Sequence, residues 1–220
     1  SKLVTQLLYG ESFKIIKKNG IWIKIKNDLD GYKGFIIKKN FSTKQKNTHK
    51  ICNLSATLYS KSGIKIKKKL SFGSKIKVIK KKNNFLKFDN FWIKKKDLRE
   101  INYKTKEIFK NIKKFRGIKY KWGGKHYTGI DCSGLVQLFF NFNNKFCPRD
   151  TKDQIKYFKK KIELKNIKKN DLIFWRGHVA VAISKHNLIH AYGQLGKTII
   201  MPIKKTIVRI YKTTKLKIIG

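Results

Sequence analysis

An internal echo restricts the first hundred residues more than any other feature of this chain. Gly10-Glu11-Ser12-Phe13-Lys14-Ile15-Ile16-Lys17-Lys18 returns as Gly73-Ser74-Lys75-Ile76-Lys77-Val78-Ile79-Lys80-Lys81. Ile21-Trp22-Ile23-Lys24-Ile25 returns as Phe85-Leu86-Lys87-Phe88, and Phe35-Ile36-Ile37-Lys38-Lys39 as Phe91-Trp92-Ile93-Lys94-Lys95. A repeat of about 60 residues means two copies of one structural unit. The repeated pieces are short β-branched and aromatic runs. In the first copy Lys18-Asn19-Gly20 and Asp28-Leu29-Asp30-Gly31 separate them, so each copy reads as short strands joined by turns, a small β-barrel. The expected boundaries are residues 1–45 and 51–100, with the polar stretch from Asn40 to Asn53 as linker. The copies differ where the first has Leu7-Leu8-Tyr9-Gly10-Glu11 and the second Leu70-Ser71-Phe72-Gly73-Ser74, so Glu11 has no acidic counterpart.

The hydrophobic period changes after Lys104. Ile108, Phe109, Ile112 and Phe115 fall at helical spacing, which predicts a helix stopped by Gly117. The turn Gly129-Ile130-Asp131-Cys132-Ser133-Gly134 runs into Leu135-Val136-Gln137-Leu138-Phe139-Phe140, a segment suited to a buried helix. Thr151-x-x-Gln154 has the form of a capping box, predicting a second, short helix. Asp171-Leu172-Ile173-Phe174-Trp175, His178-Val179-Ala180-Val181-Ala182-Ile183 and Leu188-Ile189-His190-Ala191 are near-continuous apolar runs, as strands buried on both faces are. Helices followed by a sheet make residues 104–220 an α+β domain.

The chemistry gathers in this second half. Cys132 falls on the first turn of a helix, where unpaired N–H groups and the positive end of the helix dipole favour a thiolate. His178 opens one core strand and His190 lies on the next. A thiol on a helix start, a histidine beside it and a polar group to orient that histidine are what a thiol hydrolase requires. His178 is then the base and His190 its partner through the far ring nitrogen. His49, His126 and His186 sit in polar, loop-like contexts. Cys52, Cys132 and Cys147 are an odd number at no metal-ligand spacing, so neither a disulfide framework nor a metal site is expected, and no cofactor. Cys147, beside Pro148, reads as structural.

The charge invites a different class. Fifty-five Lys and Arg against 12 Asp and Glu give a net charge of +43, which in isolation suggests a nucleic acid or another anionic partner. However, the lysines are spread over the whole chain, in Lys67-Lys68-Lys69, Lys80-Lys81-Lys82, Lys94-Lys95-Lys96 and Lys159-Lys160-Lys161. Residues with AT-rich codons are over-used throughout. Nucleic acid is therefore not expected as a specific partner. No run approaches the ~20 apolar residues of a membrane helix. Ser1-Lys2-Leu3-Val4-Thr5-Gln6 lacks the apolar core of a secretion signal. The expectation is a soluble, cytoplasmic monomer.

Taken together, Tyr120-Lys121-Trp122-Gly123-Gly124, Gly129-Ile130-Asp131-Cys132-Ser133-Gly134-Leu135, Pro148-Arg149-Asp150-Thr151 with Gln154, Asp171-Leu172-Ile173-Phe174-Trp175, Gly177-His178-Val179 and Leu188-Ile189-His190-Ala191 resemble the NlpC family of papain-like cysteine peptidases. The resemblance covers roughly Phe109 to Ile203. The two N-terminal copies resemble bacterial SH3-like domains. With both modules in front, the chain is similar to the family's γ-D-glutamyl-L-diamino acid endopeptidases, which cut murein stem peptides between D-glutamate and the diamino acid.

What the resemblance implies is specific. Cys132 is the nucleophile, His178 the base, His190 the third member, and Tyr120 lines the site. Asp131 and Glu11 meet the free ammonium of an N-terminal L-Ala, Ser133 and Thr151 hydrogen-bond the D-Glu portion, and Tyr32 walls the pocket. The sequence departs from the family pattern at Lys119, where a proline is common, at Asn170, where glycine is usual, and at Thr151, where serine is frequent. Two other readings compete. One is a basic nucleic-acid- or wall-polymer-binding protein with a relic catalytic site, which leaves the ordered Cys132, His178 and His190 unexplained. The other is an enzyme acting on intact wall, for which an ammonium-reading Glu11 has no use.

Overall fold

The computed structural model describes residues 2–38, 41–60 and 63–220. The chain divides into two compact units. One is Gln6–Lys104, and the other combines Ser1–Thr5 with Thr105–Gly220.

Among its described residues Gln6–Lys104 is built of strands apart from one short 3-10 turn. In the first copy β1 (Phe13–Asn19), β2 (Trp22–Asn27) and β3 (Lys33–Ile37) form an antiparallel meander in that order. Ile23 and Ile25 of β2 point inward while Lys24 and Lys26 do not, the alternation of a half-buried strand. Next come β4 (His49–Ile51), β5 (Ser55–Tyr59), β6 (Lys65–Ser71), β7 (Lys75–Ile76), β8 (Lys80–Lys82), β9 (Phe85–Phe88), β10 (Phe91–Lys94) and β11 (Leu98–Glu100). They make a five-stranded sheet in the order β6-β5-β10-β9-β8 and a three-stranded sheet β11-β4-β7. Ala56, Leu58, Leu86, Phe88 and Ile93 close a core with Ile51, Ile76 and Leu98 between them. No closed ring of strands is present among the described residues.

The echo survives as topology, with one instructive difference. β8-β9-β10 is a meander like β1-β2-β3. In the first copy the leading strand carries a bulge between Ile15 and Lys17. At the matching place in the second copy the strand breaks, and its halves, β7 and β8, join different sheets. A bulge bends a strand and a break completes the bend.

The stretch expected to be a linker is corrected here. Asn40 lies outside the described residues, but His49–Ile51 is strand β4, paired with β7 and β11. Lys50 and Ile51 are fully buried, and Lys50 Nζ donates to the Tyr103 carbonyl at 2.6 Å. Lysine ordinarily keeps its ammonium in solvent, whereas here it closes a backbone carbonyl inside the fold. That burial, with Lys75 and Lys104 nearby, pulls its pKa down to about 8.

In the other unit, the helix expected from Ile108 to Phe115 is only a 3-10 turn, Ile112–Phe115. Asn111 adopts a left-handed conformation that breaks the helical path. The apolar pattern still marks burial: Phe109 and Phe115 pack on Phe139 at ring distances of 5.8 and 5.4 Å. After the ribbon of β12 (Lys125–His126) and β13 (Gly129–Ile130) comes α1 (Cys132–Phe142), every residue of which is buried. Then follow α2 (Thr151–Tyr157), the meander β14 (Leu172–Trp175), β15 (His178–Ala182), β16 (Asn187–Tyr192) and β17 (Lys197–Pro202), and α3 (Ile203–Thr214). α1 packs on β15 and β16, so the helix bearing the cysteine lies directly against the strands bearing the histidines. Among the described residues no helix is long and apolar enough to cross a membrane.

Candidate active site

Asp131 starts the site. Its extended backbone makes it the N-cap of α1, and its Oδ1 accepts the Gly134 N–H at 2.7 Å. Cys132 is thereby fixed as the first helical residue. The turn closes only because Gly134 has no side chain. A Cβ there would sit 2.5 Å from the Gly124 carbonyl oxygen and 2.8 Å from Asp131 Oδ1.

The cysteine Sγ lies 4.0 Å from the Thr151 hydroxyl. The backbone amides of Val179 and Ser133 also bond it, which sets the sulfur beside the residue that follows His178. On the sheet, His178 Nε2 and His190 Nδ1 are 2.8 Å apart. His190 is fully buried and stacks on Tyr192 at 4.7 Å and 14°. Tyr192 Oη in turn donates to Gln194. Tyr192 was missed by sequence reasoning, although its place two residues after His190 puts it on the same strand face. Tyr120 packs against Gly193, and burial above all pushes its phenol well above the ordinary range.

The resting thiol is not the thiolate expected from the helix start. Burial, and then the neighbouring Asp131 carboxylate, push Cys132 up to about 11 against the opposing bonds from Val179, Thr151 and Ser133. Burial takes His178 down to about 4 and His190 down to about 3, the latter helped by His178. The pair therefore rests neutral at pH 7: a thiol and an uncharged imidazole. For His178 to accept a proton on Nδ1, its Nε2 must carry hydrogen and donate to His190 Nδ1.

The depressed histidines have a stability consequence. The unfolded chain takes protons below about pH 6.5 while the folded chain refuses them until far lower. Their contribution is fully present above pH 6.5 and is lost as pH falls toward 4. Urea melts at pH 7 and 4.5 should show wild type losing on the order of 5 kcal/mol more than a His178→Gln, His190→Gln variant, about half from each histidine. Equal losses in the two proteins would contradict the assignment.

The carboxylate expected to meet a substrate ammonium is occupied within the protein. Asp131 forms a bidentate pair with Arg149, Nη1 to Oδ1 at 3.0 Å and Nη2 to Oδ2 at 2.7 Å, and also accepts the Gly123 N–H at 2.8 Å. The Ser133 hydroxyl, expected to face substrate, accepts from Arg149 Nη1 at 3.0 Å. Thr151 begins α2, yet the expected capping box does not form. Gln154 Nε2 instead donates to the carbonyls of Ser133 and Pro148 at 3.0 and 2.9 Å, bracing the nucleophile turn. Glu11 and Tyr32 belong to the Gln6–Lys104 unit, where Glu11 Oε2 accepts the Leu8 N–H at 3.1 Å and the Tyr32 N–H donates to Asp30. Arg149 is the residue the sequence reading left without a role. Its signal was its identity: a guanidinium kept among so many lysines marks a place that needs a two-pronged donor. Among the described residues no cluster of His, Cys, Asp and Glu could hold a metal ion.

Residues 117–214 match the NlpC/P60 family, and residues 1–40 match the bacterial dipeptidyl-peptidase Sh3 domain. A γ-D-glutamyl-L-lysine dipeptidyl-peptidase of Bacillus cereus is 25% identical over 87% of this chain and 68% of its own length. Dipeptidyl-peptidase 6 of Lysinibacillus sphaericus is 38% identical over 33% of this chain, and the chain covers 27% of that relative. In three dimensions, the crystal structure of an NlpC/P60 family protein from Bacillus cereus superposes with a TM-score of 0.79 over 91% of this chain and 77% of that one, at 22% identity, a likeness of fold.

Proposed function

For a chain that carries an NlpC/P60 domain and a bacterial Sh3 domain, we propose a thiol-dependent peptidase that cuts short murein peptides between γ-D-glutamate and the following diamino acid. The observation that carries this reading is the buried Cys132 on the first turn of α1, bonded by the Val179 amide next to the His178–His190 pair. The bond assignment is supported by the relative whose name specifies a γ-D-glutamyl-L-lysine bond.

The chemistry follows from the neutral resting pair. As the sulfur attacks the carbonyl carbon, the thiol proton passes to His178 Nδ1. His190 Nδ1, facing Nε2 at 2.8 Å, holds the imidazole in the accepting tautomer and stabilises the imidazolium that forms. The positive end of the helix dipole at the first turn of α1 favours negative charge on the carbonyl oxygen. The imidazolium then returns its proton to the leaving amine, and the C–N bond breaks to leave a thioester on Cys132. Water, giving a proton to His178, releases the acid and restores the thiol.

Incubation with L-Ala-γ-D-Glu-L-Lys should yield L-Ala-γ-D-Glu, read by mass. An N-acetylated peptide should be cut at least tenfold more slowly if a free amine is required. Wild-type protein that yields no L-Ala-γ-D-Glu from any such peptide would refute the reading.

A further inference from the structure

The unit that carries Cys132 includes a piece of chain from about a hundred residues away. Lys2 to Thr5 lie on it, and two of their contacts fall on partners of Asp131, Gly123 and Arg149. Lys2 Nζ stands 5.3 Å over the Trp122 ring. Leu3 and Val4 press their backbones on Gly123, so closely that a Cβ at Gly123 would come within 2.8 Å of the Leu3 carbonyl oxygen; Gly123 also holds φ at +71°. Gly123 is the residue whose N–H bonds Asp131 Oδ2. Thr5 Oγ1 accepts from Arg149 Nε at 3.0 Å, and Arg149 is the cation on the same carboxylate.

We propose that residues 2–5 form a strap that positions the nucleophile, with Thr5 and Arg149 as positioning residues for Cys132. Arg149 is 2% exposed and makes four bonds: one to Thr5, two to Asp131 and one to Ser133. Its planar fork can satisfy Asp131 bidentately only in one orientation, and the Nε–H that fixes its remaining edge is spent on Thr5. Asp131 and Ser133 flank Cys132 in sequence. A tilt of the guanidinium therefore moves both neighbours of the sulfur and weakens the cap that holds Gly134 N–H. The strap touches no part of the thiol, so it acts on where the sulfur sits.

This rests on the reading of Cys132 as nucleophile, and the test separates the two. In the 220-residue chain with Cys52→Ser, which removes the more accessible of the other thiols, iodoacetamide alkylation of Cys132 is followed against pH by mass. Thr5→Val keeps the shape and removes the acceptor; Thr5→Ser restores it. Thr5→Val should alkylate about tenfold faster, with its pH midpoint moved down as the thiol gains exposure. On the peptide it should show a tenfold lower kcat at similar KM. Thr5→Ser should return both to within twofold of the parent. If Thr5→Val matches the parent in alkylation rate and pH profile, or if Thr5→Ser behaves as Thr5→Val does, the strap does not position Cys132. The alkylation arm needs no substrate, so an absence of peptide cleavage would overturn the functional reading while this result still stood or fell separately.

Discussion

Cys132→Ala should abolish peptide cleavage, lowering kcat/KM by roughly 10⁵-fold, about 7 kcal/mol of transition-state stabilisation. No other group stands where it could substitute. The Thr151 hydroxyl is 4.0 Å from the sulfur, but a hydroxyl lacks the acidity to give up its proton to an imidazole that burial holds at about 4. Cys132→Ser should be inactive for the same reason. Neither change should unfold the protein: a serine fits the space of the thiol, and loss of one buried sulfur to alanine costs about 1 kcal/mol. Circular dichroism and thermal melts would establish the fold, and mass detection of L-Ala-γ-D-Glu the activity. Cleavage by Cys132→Ala at wild-type rate would end the thiol mechanism.

Gly134→Ala should cost the nucleophile turn much of its stability through a single methyl group. Its Cβ would stand 2.5 Å from the Gly124 carbonyl oxygen and 2.8 Å from Asp131 Oδ1. Neither can yield cheaply, because the Gly124 oxygen accepts the Asp131 N–H and Oδ1 caps α1 while holding Arg149. An overlap of this kind costs about 3 kcal/mol. For a chain of this length that corresponds to a melting temperature lower by roughly 6–12 °C. Gly34→Ala is the control, since a Cβ there meets nothing within 4 Å. A Gly134→Ala protein that melts with the wild type would show that the turn is not packed this closely.

How much of this was legible in the sequence depended on whether a signal was local. The strands of the first copy, the buried helix after Cys132 and the two histidine strands follow from runs of adjacent residues, and they stand where those runs are. The helix over Ile108–Phe115 failed because its apolar spacing reports burial, while Asn111 decides the backbone. Strand β4 was hidden because Lys50 looks solvated in sequence, and only the Tyr103 carbonyl makes its burial tolerable. The thiolate failed because a helix start is a local argument. Desolvation and Asp131 are set by everything packed around Cys132. Arg149 was read as part of a motif and given no task, since its partners Thr5, Asp131 and Ser133 are brought to it only by folding.

The discontinuous unit has a bearing on assembly. Residues 2–5 leave the ribosome well before the residues they pack on, with the whole of Gln6–Lys104 made in between. Closing a flexible loop of about a hundred residues costs about 4 kcal/mol in chain entropy. If the intervening strands fold first, much of that cost is met before Thr5 meets Arg149. The order of events then runs from the β unit outward, and the nucleophile turn is among the last places to become native.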